Sequence, residues 1–344
     1  MSAVNFLLCL EYERNTRPQC ALEKTLKGLV EDKMKKKMNI ALIAGGTSSE
    51  RAVSLSGAAA AEKALDRNKF NVRRYDPPVD LGKIIADAAK IDFAFILLHG
   101  IGGEDGTIQG FLDLLKIPYQ GSGVLGSAVA INKHLSKELY RSAGLPVADW
   151  TVVKRGETPE IEALVARFGF PVVVKPVREG SSLGMTIARN AETLAAGIVL
   201  GLKHDTAVIV EQYIKGTELT VGVIGNREVE ALPVIAILPG EGYEYFDYEA
   251  KYQPGASEEI CPAPIDDTLR DTVQRYAVEA HRVLLLRGCS RTDFIATEDG
   301  SVYLLETNTI PGMTETSLLP RAARVAGMSF AQLLERLIAL GLEA

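Results

Sequence analysis

Three oxygen-bearing side chains near the C-terminal end carry the sharpest chemical signal in the sequence. Asp293 lies in one apolar run. Glu306 and Asn308 close the next, two residues apart and so on one face of an extended chain. A turn at Glu298-Asp-Gly300 folds the runs 291–297 and 301–306 into a hairpin and draws the three together. Two carboxylates and an amide are hard donors, suited to Mg²⁺ that keeps water and phosphate oxygens among its ligands. A lone acidic pair is ordinarily a solvated edge. Here Phe294, Ile295, Tyr303, Leu304 and Leu305 surround it, and a carboxylate among apolar neighbours needs a partner or a metal.

A second group lies upstream. Lys175 ends the apolar run Pro171-Val-Val-Val, just before the tip Arg178-Glu-Gly-Ser-Ser-Leu-Gly184. A lysine there either reaches to solvent or meets an anion. Backbone N–H groups of the tip, with the hydroxyls of Ser181 and Ser182, suit phosphate oxygens; a plain hairpin turn is the competing reading. The GxxxxGK[ST] spacing of a P-loop is absent. Glu211-Gln-Tyr-Ile214 leaves a strand and offers backbone groups and an aromatic face, although a Tyr–Ile pair is more often core. Gly45-Gly-Thr-Ser-Ser-Glu-Arg51 is a glycine turn that fails GxGxxG. His99 precedes the polar loop 100–106, and alone it reads as a satisfied core histidine. Tyr248, Lys251 and Tyr252 lie in an aperiodic stretch, 239–258, whose length suits a lid.

The elements that must position these residues fall into three units. Over 38–131, strands at 39–43, 70–75 and 92–98 alternate with helices near 53–65 and 81–89. That pattern predicts a parallel α/β sheet with ligands at the strands' carboxyl ends. Over 132–216 a helix at 134–143 stops at Gly144-Leu-Pro146. A hairpin (171–175, 185–188), a helix (191–202) and a strand (207–211) follow, a small α+β unit. Over 217–344, strands near 217–225 and 228–237, a helix over 267–287 and the hairpin 291–306 predict α+β with an antiparallel sheet. Residues 1–37 are charged and weakly periodic and read as an extension with a mis-assigned start, Met38 or Met34 being the expected true one; an accessory helix over 1–37 is the competing reading.

Composition narrows the classes. In 344 residues, 38 basic against 44 acidic side chains give −6, a poor balance for general nucleic-acid binding. An apolar share of 47% supports a large core without staples. Cys9, Cys20, Cys261 and Cys289 match no metal or redox spacing and read as reduced thiols. No apolar run reaches the ~20 residues that cross a bilayer, and no export signal is evident. The expectation is a cytoplasmic protein with no nucleic-acid or membrane partner.

The ordered set Lys175 with its glycine tip, Glu211–Ile214, Asp293, Glu306 and Asn308 resembles the ATP-grasp superfamily. The stretches GGTSSERAVS (45–54), HGIGGEDGTIQG (99–110), GSGV (121–124), VKPVREGSSLGM (174–185), DYEAKY (247–252), RTDF (291–294) and LLETNTIPGMTETSLLP (304–320) resemble the D-alanine–D-alanine ligase family. The resemblance covers Met38 to the end. It implies an α/β (α+β overall) ATP-grasp fold and ATP-dependent joining of two D-alanine molecules through a D-alanyl phosphate, in peptidoglycan precursor synthesis. It implies ATP as co-substrate, two Mg²⁺ (or Mn²⁺), and a homodimer.

By the same resemblance Lys133 and Lys175 bind phosphates, and Glu211, Tyr213, Ile214 and Glu218 line the adenine and ribose pocket. Asp293, Glu306 and Asn308 hold metal. Glu50 takes the first D-alanine's amine beside His99. Arg291 and the Gly312 N–H form an oxyanion site, and Ser317 with the Leu318 backbone takes the second carboxylate. Lys251 reaches the γ-phosphate, and Tyr252 links to Glu50 and Ser181. Tyr213 stands where Trp is frequent and Asn132 where Asp is frequent. Tyr252 implies an amine as second substrate rather than a hydroxy acid. The competing readings are a D-alanine–D-lactate or D-alanine–D-serine ligase, a nucleotide-dependent oxidoreductase on 39–131, and a nucleotide-binding module without turnover.

Overall fold

A computed structural model describes residues 37–240 and 257–343. Three sheets organise them. In the first, β1 (Met38–Ile43) lies between β2 (Phe70–Tyr75) and β3 (Phe93–Ile96), all parallel. The continuous apolar text of β1 and β3 is explained by cover on both faces. Ile40, Leu42, Phe93 and Phe95 enter one core with α1 (Arg51–Ala64). Ala41, Ile43, Ala94 and Ile96 enter the opposite core with Ile84 of α2 (Pro77–Asp87) and Leu112 of α3 (Thr107–Leu114). Two helices, α4 (Val124–Ile131) and α5 (Lys133–Ser142), then lead away from the sheet.

The second sheet is antiparallel, in the order β4 (Trp150–Lys154), β7 (Ala207–Gln212), β5 (Val172–Pro176), β6 (Thr186–Ala188). Val172, Val174, Val208 and Val210 pack with Leu194 and Ile198 of α7 (Ala191–His204), beside α6 (Ile161–Phe168). Strand periodicity therefore turns Val173, Lys175 and Glu211 to the other face.

The third sheet runs β11 (Ser257–Ile260), β10 (Ile235–Pro239), β8 (Thr217–Gly225), β12 (Gly288–Ala296), β13 (Val302–Asn308), with β9 (Val229–Ala231) also on β8. Its pairs are antiparallel. Helix α8 (Asp267–Val283) covers it, and α9 (Leu318–Val325) and α10 (Phe330–Leu342) join it to the first sheet's core.

Two expected elements differ. The strand read over 228–237 is split into β9 and β10 at Leu232-Pro233-Val234, where proline has no N–H for a ladder. The helix read over 267–287 stops at Val283. Leu285 adopts φ 56°, Leu286 N–H bonds His281 O (3.0 Å) and Leu285 N–H bonds Arg282 O (2.9 Å), a left-handed stop built on leucine instead of glycine. Residues 1–36 and most of the stretch 239–258 lie outside the described residues.

Two glycines test how α10 is seated. A Cβ on Gly341 would fall 2.6 Å from Tyr119 O and 2.7 Å from the Phe93 ring, whereas Gly82 in α2 has nothing within 4 Å. Gly341→Ala is expected to cost about 1–3 kcal/mol by overpacking. Gly82→Ala is expected to gain about 0.5–1 kcal/mol. Urea midpoints for both variants check this; equal shifts would disprove the close seating.

Candidate active site

The β12–β13 hairpin builds the centre. Its register sets Arg291 opposite Asn308, Thr292 opposite Thr307 and Asp293 opposite Glu306, then shifts between Asp293 and Phe294, a bulge that pairs Phe294 with Leu304. Arg291 forks onto Asp293, with Nε 2.9 Å from Oδ1 and Nη2 2.8 Å from Oδ2. Thr220 Oγ1 also donates to Oδ1 (2.5 Å), and Asn308 Nδ2 donates to Oδ2 (3.1 Å). Burial opposes the Arg291 charge, but the Asp293 carboxylate outweighs it and holds the guanidinium above its ordinary value. Behind the strands Tyr140 donates to Thr307 Oγ1 (2.7 Å), which lies 3.0 Å from Thr292 Oγ1.

One cleft lies between the second and third sheets. Lys133, Lys175, Glu211, Tyr213, Ile214, Glu218, Asp293 and Glu306 line it together with Val173, Met185, Ile187, Ile295 and Leu305. Lys175 Nζ stands 2.7 Å from Glu211 Oε1, and Lys137 Nζ stands 2.9 Å from Oε2. Burial pushes the Glu211 carboxyl upward, yet the two lysines outweigh it and hold it at about 2. Lys133 Nζ donates to Glu179 O (2.6 Å) and lies 3.2 Å from Glu306 Oε2.

A second cleft, of about 560 Å³, opens at the strand ends of the first sheet. It is lined by Glu50, His99, Glu104, Gly180, Ser181, Arg291, Glu306, Asn308, Gly312, Ser317 and Leu318, among others. Ser181 Oγ donates to Glu50 Oε1. Ser181 and Ser182 carry φ 48° and 58°, and a Cβ on Gly180 would sit 3.0 Å from Glu50 Oε2. Ser317 precedes α9, and its hydroxyl meets Thr314 N (3.1 Å) and Thr314 Oγ1 (2.7 Å). His99 is buried here; desolvation lowers its pKa against the opposing pull of Glu50. Lys251 and Tyr252 lie outside the described residues.

Sequence reasoning overlooked Lys137 and Glu104. Lys137 is one helical turn beyond Lys133 in α5, so helical spacing places both on one face. Glu104 sits in the loop after His99 and accepts from Gly100 N (2.8 Å) and Ile310 N (3.4 Å). Burial, then the nearby Glu50 charge, pushes its pKa up to about 7. Glu104 falls inside the stretch HGIGGEDGTIQG, but nothing in that stretch marks it as buried.

Among the described residues no group of three or more His, Cys, Asp and Glu side chains could hold a metal ion. Asp293, Glu306 and Asn308 instead offer two carboxylates and an amide. That set fits a hard cation completing its shell with phosphate and water. The chemistry available is thus binding of a polyanion between lysines and acids, beside a pocket that carries carboxylates, Glu50 among them, and the Arg291 and Arg321 guanidiniums.

Known proteins resemble this chain in sequence and in fold. Residues 139–339 match the family described as D-ala D-ala ligase C-terminus, and residues 76–122 match D-ala D-ala ligase N-terminus. A D-alanine–D-alanine ligase of Desulfotalea psychrophila is 59% identical over 315 residues, 91% of this chain and 98% of its own. One of Syntrophobacter fumaroxidans is 56% identical over 307 residues, 89% and 98% of the two chains. The solved D-alanine–D-alanine ligase of Bacillus anthracis complexed with ATP has a TM-score of 0.77 at 33% identity, covering 89% of this chain and 98% of its own. The VanG D-Ala:D-Ser ligase of Enterococcus faecalis has a TM-score of 0.77 at 32% identity, covering 89% and 100%.

Glu104 yields a pH test. Its folded-state pKa is raised from 4.5 to about 7, so the fold favours the protonated form. That contribution is complete below the unfolded value and is lost as pH rises through the folded one. Glu104→Gln is therefore expected to gain in Tm relative to the parent chain between about pH 5 and about pH 8.5. Thermal melts across that range decide it; a Tm difference flat with pH contradicts the burial of a charge there.

Proposed function

The chain belongs to the D-alanine–D-alanine ligase family, and on that premise we propose how its residues divide the work. The reaction joins two D-alanine molecules to D-alanyl-D-alanine with ATP, releasing ADP and phosphate, a step of peptidoglycan precursor synthesis. The observation that carries this reading is that one hairpin borders both clefts. Asp293 and Glu306 line the first; Arg291, Glu306 and Asn308 line the second. A nucleotide in the first would end its phosphates where the carboxylate of an amino acid in the second must react.

A carboxylate does not accept an amine directly, because its oxygen is a poor leaving group. Transfer of the terminal phosphoryl group to it makes an acyl phosphate, which a second amine captures. Glu211, Tyr213, Ile214 and Glu218 hold the base and ribose, and Lys133 and Lys175 hold phosphate oxygens. By the resemblance Lys251, outside the described residues, adds a further cation for the phosphates. Asp293, Glu306 and Asn308 would hold Mg²⁺, which supplies positive charge to offset that of the phosphates when bound.

Glu50 takes the ammonium of the first D-alanine beside His99 and Ser181, and the resemblance assigns Tyr252, outside the described residues, to the same task. Arg291 uses Nε and Nη2 on Asp293 and presents its Nη1 edge, with the Gly312 N–H, to the oxyanion that forms at the attacked carbonyl. Ser317 and the Leu318 N–H at the start of α9 take the carboxylate of the second D-alanine. Water has to be kept out, since it would consume the acyl phosphate.

An oxidoreductase built on residues 39–131 would leave the hairpin group without a role. The division into units at 38–131, 132–216 and 217–344, assembly as a homodimer and a cytoplasmic location belong to the same proposal. Among the described residues no single helix is long and apolar enough to cross a membrane; α9 and α10 pass together by length and composition, and bend by 104°.

Two experiments test the reading. Arg291→Ala is expected to lower ligation about 10²–10³-fold, the usual loss for one oxyanion donor, with ATP affinity within a few-fold. Because it strands Asp293, Arg291→Lys is assayed beside it, by phosphate release and nucleotide titration. Lost ATP binding with intact turnover would refute the oxyanion role. Offered D-alanine, L-alanine, D-serine and D-lactate in turn with ATP and Mg²⁺, the protein is expected to release phosphate with D-alanine; preference for D-lactate or D-serine as second substrate would move it to the competing ligase readings.

A further inference from the structure

Helix α5 is turned inside out. Its buried side chains are Lys133, Ser136, Lys137 and Tyr140, while Leu135 and Leu139 are exposed. A helix normally buries its apolar stripe, so a polar buried face calls for a reason. Lys133 and Tyr140 have theirs in Glu306 and Thr307. Lys137 is different. Its side chain has no exposed surface, and it lies behind the wall of the nucleotide cleft instead of lining it. A buried ammonium is costly unless an opposite charge faces it. That charge is Glu211, 2.9 Å away, in a contact of charge with charge that is not a well-aligned hydrogen bond. The Trp150 ring, 5.2 Å from Nζ, closes the other side, and Trp150 pairs with Glu211 across β4–β7.

Glu211 thus has two cations of unequal access. Lys175 lines the cleft and can be drawn away by an entering phosphate; Lys137 cannot. We infer that Lys137 is a positioning residue, a sequestered counter-ion that keeps Glu211 charged and in place when Lys175 turns to the nucleotide. Glu211 then accepts a hydrogen bond from an amine on the base and repels a carbonyl at the same position. Lys137 so acts through Glu211 on base selectivity. This rests on the reading of the first cleft as the nucleotide site.

The chain's single tryptophan, Trp150, supplies a signal independent of turnover, since it touches this group directly. Trp150 fluorescence is titrated with ATP and with inosine triphosphate, whose base carries a carbonyl in place of adenine's amine. In the parent chain ATP is expected to bind more tightly. Lys137→Met is expected to weaken ATP about 10–100-fold, the worth of one hydrogen bond to a charged group, and inosine triphosphate far less, so the ratio collapses.

Lys137→Gln, also uncharged but polar, is the companion should the methionine variant not fold. In a Glu211→Gln background either substitution is expected to leave the ratio unchanged, which a merely structural lysine would not require. An unaltered ATP-to-inosine-triphosphate ratio in the folded single variants would overturn the inference. A parent chain that shows no saturable response to ATP would overturn the nucleotide reading itself.

Discussion

A charge removed from water in this cleft persists only beside its opposite. That constraint arranges the site. Lys175 and Lys137 share Glu211, Lys133 meets Glu306, and Arg291 forks onto Asp293. These are residues that the proposed reaction needs for phosphate, metal and oxyanion. Without ligands they neutralise one another. In the proposed reaction, ligand binding would be an exchange of partners: phosphate would take lysines from acids, and a metal would give the acids a new cation. The desolvation cost of the charges is met in the folded chain, before the substrate arrives.

Strand periodicity makes that pairing possible. In β5 and β7 alternate valines face α7, which leaves Lys175 and Glu211 on the opposite face of the same sheet. In β12 and β13 the bulge after Asp293 keeps Asp293 opposite Glu306 while returning Phe294 and Leu304 to the core. A hairpin without that shift would send either the acids or the phenylalanine to the wrong face. α5 completes the frame from behind, tying β7 through Lys137 and β13 through Lys133 and Tyr140.

What could be read in the sequence follows from how local each signal is. The parallel strands at 38–96 are continuous apolar runs, and the β5–β6 hairpin and the β12–β13 hairpin are marked by their turns. Those elements stand within a few residues of their expected bounds. The stop of α8 at Val283 was not legible, because a leucine occupies the left-handed position that glycine usually fills. Lys137 looked like one more helical lysine; its burial depends on Glu211, 74 positions away in the chain, and on the Trp150 ring. Glu104 looked like part of a polar loop, and only the folded position of Glu50 and of the Ile310 N–H shows what surrounds it.

The glycine-rich tip shows the same dependence at the level of the backbone. Ser181 and Ser182 both hold left-handed φ, a conformation that costs non-glycine residues roughly 1–2 kcal/mol each. Such strain survives where neighbouring contacts over-determine the chain. Here Ser181 donates to Glu50, and Gly180 approaches that carboxylate too closely to carry a side chain without a shift. Glu179 and Ser182 line the first cleft, while Gly180 and Ser181 line the second. One strained turn thus spans the boundary between the two clefts, anchored by the carboxylate proposed to receive the first amino acid. The shape of one cleft, at the end proposed to receive phosphate, is in this way tied to a charge in the other.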